Sequence, residues 1–214
     1  MGKADPIGAE IIAMSHPLQC RCGALTGFVE NENRATHSRC YCEDCQAFAR
    51  FLGRDADLLD DRGGSEAIQT LPKDVVFARG VEHLACLRLS DRGLLRWYAA
   101  CCGTPIGNTP PTSRLPFVGL ARACLENTAP TVEQSFGPVR FCLFTSGARG
   151  GSKPKPFGGA GFMIWLIGNR LRARFTGGFR RNPFFDTVKD QPIVEAKVLT
   201  SAERDQLREG PLLA

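Results

Sequence analysis

Short apolar runs, many alternating with polar residues and broken by Gly, Pro, Asp and Ser, recur along the chain up to about residue 110. In "EHLACLRL", Ala85, Leu87 and Leu89 alternate with Cys86 and Arg88, and "SDRG" leads on into "LLRWYAA". A period of two around turn residues predicts a β-hairpin, because successive side chains of a strand point to opposite faces. Upstream, a short turn carrying Cys20, Cys22 and Gly23 precedes "ALTGFVE", a strand with a Gly interruption. "ATHSRCYCEDCQAFARFLG" predicts a strand entry, a knuckle of three cysteines and a helical turn from Ala47 to Leu52. The stretch Asp55 to Gly64 is polar and turn-rich, and "AIQTL", "DVVFARG", "FVGLARACLE" and "VRFCLFT" offer further strands. After the hairpin, Gly103 and Pro105 mark a tight turn in "CCGTPIGNT".

Beyond residue 110 the pattern changes. "SGARGGSKPKPFGGAG" has the composition of a flexible loop, and it lacks the closing Gly-Lys-Ser/Thr of a phosphate-binding loop. "FMIWLIGNRLRARF" predicts a helix with a basic far end, and Thr200 with Glu203 forms a capping-box signature for a short C-terminal helix. There is no internal repeat. The whole reads as mainly β.

A chain of 214 residues, 43% of them hydrophobic, can bury a sizeable core. The run "FMIWLIG" stops far short of the roughly 18 to 20 apolar residues of a membrane span, and the N-terminus lacks a signal-peptide pattern. A cytoplasmic protein without a membrane partner is therefore expected. The net charge of +5 is unevenly placed: residues 134 to 185 hold nine Lys or Arg and no Asp or Glu, which leaves the remainder acidic.

Ten cysteines would suit a disulfide scaffold in a short secreted chain, but here they cluster. Neighbours one or two residues apart rarely reach the geometry of a disulfide, and reduced, clustered thiols point to metal. Three clusters stand out: Cys20 with Cys22; Cys40, Cys42 and Cys45; and the adjacent Cys101 and Cys102. A C-x-C or C-x-x-C turn presents two thiolates to one ion, and zinc takes about four such ligands in a tetrahedron. The first and third clusters together could close a structural site, clamping the N-terminal turn to the end of the hairpin. The trio would then hold a second metal with an open position, the coordination of catalytic zinc. One or two Zn2+ ions per chain are expected.

"CRCGAL", "RCYCEDCQ" and "WYAACCGTPIGN" in this order resemble the glutathione-dependent formaldehyde-activating enzyme family, which includes centromere protein V. The resemblance covers about residues 18 to 109, and the rest, with "NPFFD" at 182 to 186, looks like the extension of a divergent branch. It implies a β-tent of antiparallel sheets stapled by zinc over residues 16–125, after a tail over 1–15 and before a basic extension over 126–214 with one or two helices. It implies a structural zinc on Cys20, Cys22, Cys102 and a cysteine three residues before Cys102, where this chain has Ala99. That departure leaves three alternatives: Cys101 substitutes, His16 reaches in, or the site is three-coordinate. The resemblance further implies a reaction centre at Cys40, Cys42 and Cys45, and a carbon–sulfur lyase reaction on S-hydroxymethylglutathione, with glutathione or a related small thiol as partner. The basic segment would assist capture of the anionic thiol.

Plainer readings stand beside these. The trio could be a structural site completed by His37, and one of Cys101 and Cys102 could be core. Cys86, Cys124 and Cys142, among apolar residues, read as buried hydrophobes. His83 reads as surface or hairpin packing, and Glu43 and Asp44 as exposed turn carboxylates rather than proton carriers. Arg170, Arg172 and Arg174 fit a solvated helix end or a footprint for nucleic acid. Phe175, Phe179, Phe184 and Phe185 read as packing the extension onto the core. The second functional reading is accordingly a non-catalytic zinc module that binds a partner, nucleic acid among them, through the basic segment.

Overall fold

The computed structural model describes residues 15–126 and 128–210, apart from the side chains of 176 and 179. The tail expected over 1–15 thus falls almost wholly outside the described residues, as does the Phe179 side chain. Three antiparallel strands, β1 (His16–Gln19), β2 (Thr26–Val29) and β5 (Val75–Arg79), form a small sheet in the order β1-β2-β5. An eight-stranded sheet contains β3 (Thr36–Cys40), β4 (Ser65–Thr70), β6 (Leu84–Arg88), β7 (Leu95–Ala99), β8 (Thr104–Thr109), β9 (Val118–Ala121), β10 (Phe141–Leu143) and β13 (Ala196–Val198), in the order β10-β3-β4-β9-β8-β7-β6-β13. Its interior neighbours are antiparallel, whereas both edge strands pair in parallel, β10 with β3 and β13 with β6. Residues beyond 126 thereby contribute both edges of the large sheet. A two-stranded ribbon, β11 (Phe185–Asp186) with β12 (Gln191–Pro192), completes the strands.

The predicted hairpin is β6 and β7, with Cys86 opposite Trp97. Its alternation feeds two cores rather than one core and solvent. Leu95, Trp97 and Ala99 join Leu84 and Cys86 in the layer between the two sheets, where Leu18, Val29, Ile68 and Leu120 also lie. Leu87 and Leu89 face the other way, against Ala47 and Phe48 of helix α1 (Glu43–Phe51). A sheet covered on both faces reads as nearly continuous apolar sequence, as "LACLRL" does. Cys86, Cys124 and Cys142 are buried as expected, and His83 is partly exposed beside Glu82.

Helix α1 starts inside the knuckle, four residues before the predicted turn, with Cys42 as N-cap and Glu43 and Asp44 in the first turn, where carboxylates complement the helix dipole. Short α2 (Asp55–Leu58) follows it. Among the described residues the C-terminal part holds the expected helices together with a further short one. Val132–Phe136 (α3) has a capping box from Thr131 and Gln134 that the sequence reading passed over. The predicted helix is α4 (Gly159–Thr176), and the Thr200–Glu203 capping box forms at the start of α5 (Ser201–Glu209). Among the described residues no helix is long and apolar enough to cross a membrane.

Candidate metal centres and the adjoining cleft

Two turns about 80 residues apart in sequence meet to form the first cluster. The Cys20 turn is closed by Gly23 N–H donating to the Cys20 carbonyl (2.8 Å), and the Leu25 N–H points at Cys20 Sγ (3.3 Å). The second turn is closed by Gly103 N–H donating to the Ala99 carbonyl (2.8 Å), and Gly103 has φ 66°, a left-handed conformation that glycine takes without steric cost. Cys20 Sγ lies 3.5 Å from Cys22 Sγ and 3.8 Å from Cys101 Sγ, Cys22 is 3.3 Å from Cys101, and Cys101 is 3.8 Å from Cys102. Four sulfurs at the corners of a tetrahedron around zinc, with Zn–S near 2.3 Å, are about 3.8 Å apart. The donor set therefore fits a metal of that kind. Burial raises the Cys102 thiol, but hydrogen bonds from Thr104 and Cys22 outweigh it and bring it down to about 6, toward the thiolate form that binds metal.

Of the alternatives opened by Ala99, the structure brings Cys101 into the cluster. Ala99 itself is fully buried in the core layer between the sheets. His16 does not reach in: its Nε2 donates to the Leu125 carbonyl and its Nδ1 lies 2.9 Å from Ser135 Oγ.

The second cluster is local. Cys40 ends β3, Cys42 caps α1 and Cys45 lies in its first turn, so a strand-to-helix corner gathers three sulfurs within 4.8 Å of one another. Among the described residues no fourth Cys, His, Asp or Glu joins them. His37 is engaged elsewhere: Nδ1 donates to the Gly137 carbonyl (3.1 Å) and Nε2 faces Glu66 Oε2 (2.9 Å). Hydrogen bonds from Cys40 and Cys42, with Arg96 adding positive charge, hold the Cys45 thiol well below its usual range despite burial. Hydrogen bonds to Cys42 and Cys45, with burial, push the Cys40 thiol up; Cys42 is lowered by its contact with Cys40 but raised on balance by its contact with Cys45 and by burial.

The corner is braced from behind. Gln46 donates to the carbonyls of Tyr41 (3.0 Å) and Gly147 (2.9 Å). Gly147 sits so close that a Cβ there would stand 2.3 Å from the Tyr41 carbonyl oxygen. Arg96, on the α1 side of β7, is buried with Nη1 3.8 Å from Cys45 Sγ and Nη2 3.9 Å from Asp44 Oδ2, its guanidinium over the Phe48 ring. Asp44 also accepts from Arg208 Nη2 (2.5 Å), so α5 ties down the turn that carries Cys45.

The trio lines a cleft of about 1010 Å³ whose walls include Phe48, Leu94, Phe117, Phe162 and Leu166. In the same cleft, Glu66 accepts from Arg39 Nε (3.1 Å) and Arg122 Nη1 (3.1 Å) besides facing His37. The His37 hydrogen bond, followed by those from Arg39, pulls Glu66 down to about 2 against the effect of its burial. A carboxylate whose folded pKa lies below its ordinary 4.5 adds stability that is complete above that value and is lost as pH falls toward 2. The shift corresponds to about 3 kcal/mol, which solvent screening of a half-buried group reduces, so Glu66→Gln should be less stable than wild type by about 2 kcal/mol at pH 6 in chemical denaturation, and the gap should close as pH drops below 4.5.

Residues 12–183 match the family described as "Family of unknown function (DUF6151)". The chain belongs to that family. No curated protein matches it. A crystal structure of a Rhodobacter sphaeroides protein from structural genomics is similar, with 25% sequence identity over 57% of this chain and 96% of that one. The TM-score between the two is 0.39.

The DUF6151 match spans both cysteine clusters and the strand that carries Arg96. The structure gathers the seven cysteines of the three sequence clusters into two groups of sulfurs, and leaves Cys86, Cys124 and Cys142 outside both. It also adds residues that sequence reasoning missed. Arg96 falls at a polar position of an alternating strand, which ordinarily marks solvent; only the presence of α1 over that face buries it. Glu66 and Arg122 carried no signal, because each becomes distinctive only through the other. Asp44, read as an exposed turn carboxylate, is instead half-buried between two arginines.

Proposed function

We propose that Cys20, Cys22, Cys101 and Cys102 hold a structural zinc, and that Cys40, Cys42 and Cys45 hold a second zinc whose open position faces the cleft. On this reading the protein is a zinc-dependent carbon–sulfur lyase-like enzyme acting on a thiol–aldehyde adduct such as S-hydroxymethylglutathione. The observation that carries it is a set of three sulfurs, with no fourth ligand among the described residues, in the wall of a large cleft. Similarity of the motifs to the formaldehyde-activating family supports the choice of reaction.

In the lyase direction the C–S bond of the hemithioacetal breaks, its hydroxyl gives up a proton as the carbonyl forms, and sulfur departs as thiolate. Zinc at such a site supplies Lewis acidity, which favours sulfur as thiolate at neutral pH. The chain's own groups support that charge. Arg96 offsets the negative charge of three thiolates from a buried position, where Coulombic attraction is weakly screened. The apolar walls formed by Phe48, Phe117 and Phe162 exclude water from one side of the bound adduct.

Elemental analysis of protein purified under reducing conditions should give two zincs per chain, and Cys42→Ser should give one with an unchanged circular dichroism spectrum. Thiol-dependent aldehyde turnover above the spontaneous rate should disappear in the same variant. A trio without zinc in the wild type, or turnover that survives Cys42→Ser, would overturn the assignment. Unfolding of that variant would make the trio structural.

A further inference from the structure

Helix α4 is anchored by one face only. Phe162 packs against Phe117 and Phe141, and Trp165 Nε1 donates to the Arg34 carbonyl (3.1 Å). The opposite face carries Ile164, Ile167, Leu171 and Phe175 at spacings of three, four and four residues, which aligns them in one stripe. These side chains are 73%, 53%, 53% and 84% exposed, and Met163 beside them is 51% exposed. Isolated apolar residues on a surface need no explanation, but a continuous stripe along a helix of 18 residues marks an interaction surface.

The charge around the stripe selects its partner. Arg114, Arg170 and Arg174 surround Pro116, Ile167 and Leu171 in a shallow cleft of about 400 Å³. Arg114 lies 3.5 Å from Asp190 but remains largely exposed. Between Glu133 and Asp186 the chain carries nine basic residues and no Asp or Glu, and Arg181 among them lies 4.0 Å from Glu30. A second copy of this helix would bring like charges together. Nucleic acid would engage the arginines but leave the isoleucines and Phe175 in water. A surface that offers hydrocarbon and negative charge together satisfies both features.

We propose that α4 lies on an anionic lipid surface, with Ile164, Ile167, Leu171 and Phe175 in the acyl boundary and Arg114, Arg170 and Arg174 on headgroup phosphates. Such contact needs one apolar face and no spanning run. The same helix walls the cysteine cleft through Phe162 and Leu166, so the element that meets lipid also borders the candidate reaction site.

The test is sedimentation of the full chain with phosphatidylcholine vesicles, with and without phosphatidylserine. Binding should require phosphatidylserine and weaken with salt. Arg170→Ala and Arg174→Ala should each weaken it roughly fivefold, the worth of one basic side chain near such a surface. Ile164→Glu combined with Ile167→Glu should abolish it, while zinc content and circular dichroism stay unchanged because both positions are exposed. Failure to bind phosphatidylserine vesicles, or binding indifferent to the isoleucine substitutions, would overturn the proposal. So would a dimer broken by those substitutions, or salt-sensitive nucleic-acid binding, in a protein that does not sediment with vesicles.

Discussion

Cys22→Ser should lower the unfolding free energy by about 3–4 kcal/mol, roughly a quarter of the ~10–16 kcal/mol that a structural zinc contributes in small zinc-finger domains. The magnitude is informative because of where Cys22 sits. Its side chain is exposed, so the substitution removes no packing, and an ordinary exposed position would change stability by at most about 0.5 kcal/mol. A large loss there can come only from the sulfur cluster joining the Cys20 turn to the Cys101–Cys102 turn. Denaturation curves read together with zinc content check it: wild type should lose more than this on chelation, because removing the ion forfeits its whole contribution, whereas Cys22→Ser should lose less on chelation than wild type does. A cost near zero with zinc content unchanged would remove the structural site from the account.

Phe184→Ala should cost about 3–5 kcal/mol, the range for emptying a fully buried aromatic position. Phe184 is wholly inaccessible, tilted against Trp97 at 5.2 Å and edge-on to Phe77 at 5.4 Å, so it fills the space between the two sheets from the C-terminal part of the chain. Trp97 is held back from the void by its Nε1 donating to Thr109 Oγ1 (3.0 Å). Phe175→Ala, at an exposed position, should change stability by at most about 0.5 kcal/mol. Thermal or urea unfolding of the two variants gives the comparison directly. Equal effects would mean that Phe184 does not hold the C-terminal part onto the sheets.

That contrast bears on what could be read from the chain. Phe175 and Phe184, nine positions apart in a basic, aromatic segment, both read from the sequence as core-packing residues. One closes the main core and the other stands in solvent, and nothing local separates them. Phe184 follows Pro183 just before a two-residue strand, whereas Phe175 lies on the outer face of a helix whose inner face is already used. The helix itself was legible from its apolar run and basic end; which of its faces would be covered was not.

What the sequence determined by itself is the short-range part of this protein. The β6–β7 hairpin follows from alternation around a turn, the start of α5 from the Thr200–Glu203 capping box, and the gathering of Cys40, Cys42 and Cys45 from one strand-to-helix corner, because each involves a few adjacent backbone dihedrals. Tertiary structure alone decided the rest. It placed Cys101 among the sulfurs despite Ala99, spent His16 and His37 on other partners, and buried Arg96 against Cys45. It also used strands from beyond residue 126 for both edges of the large sheet. Each of those outcomes depends on which distant segment covers a given face, and covering is a property of the packed layers rather than of local spacing.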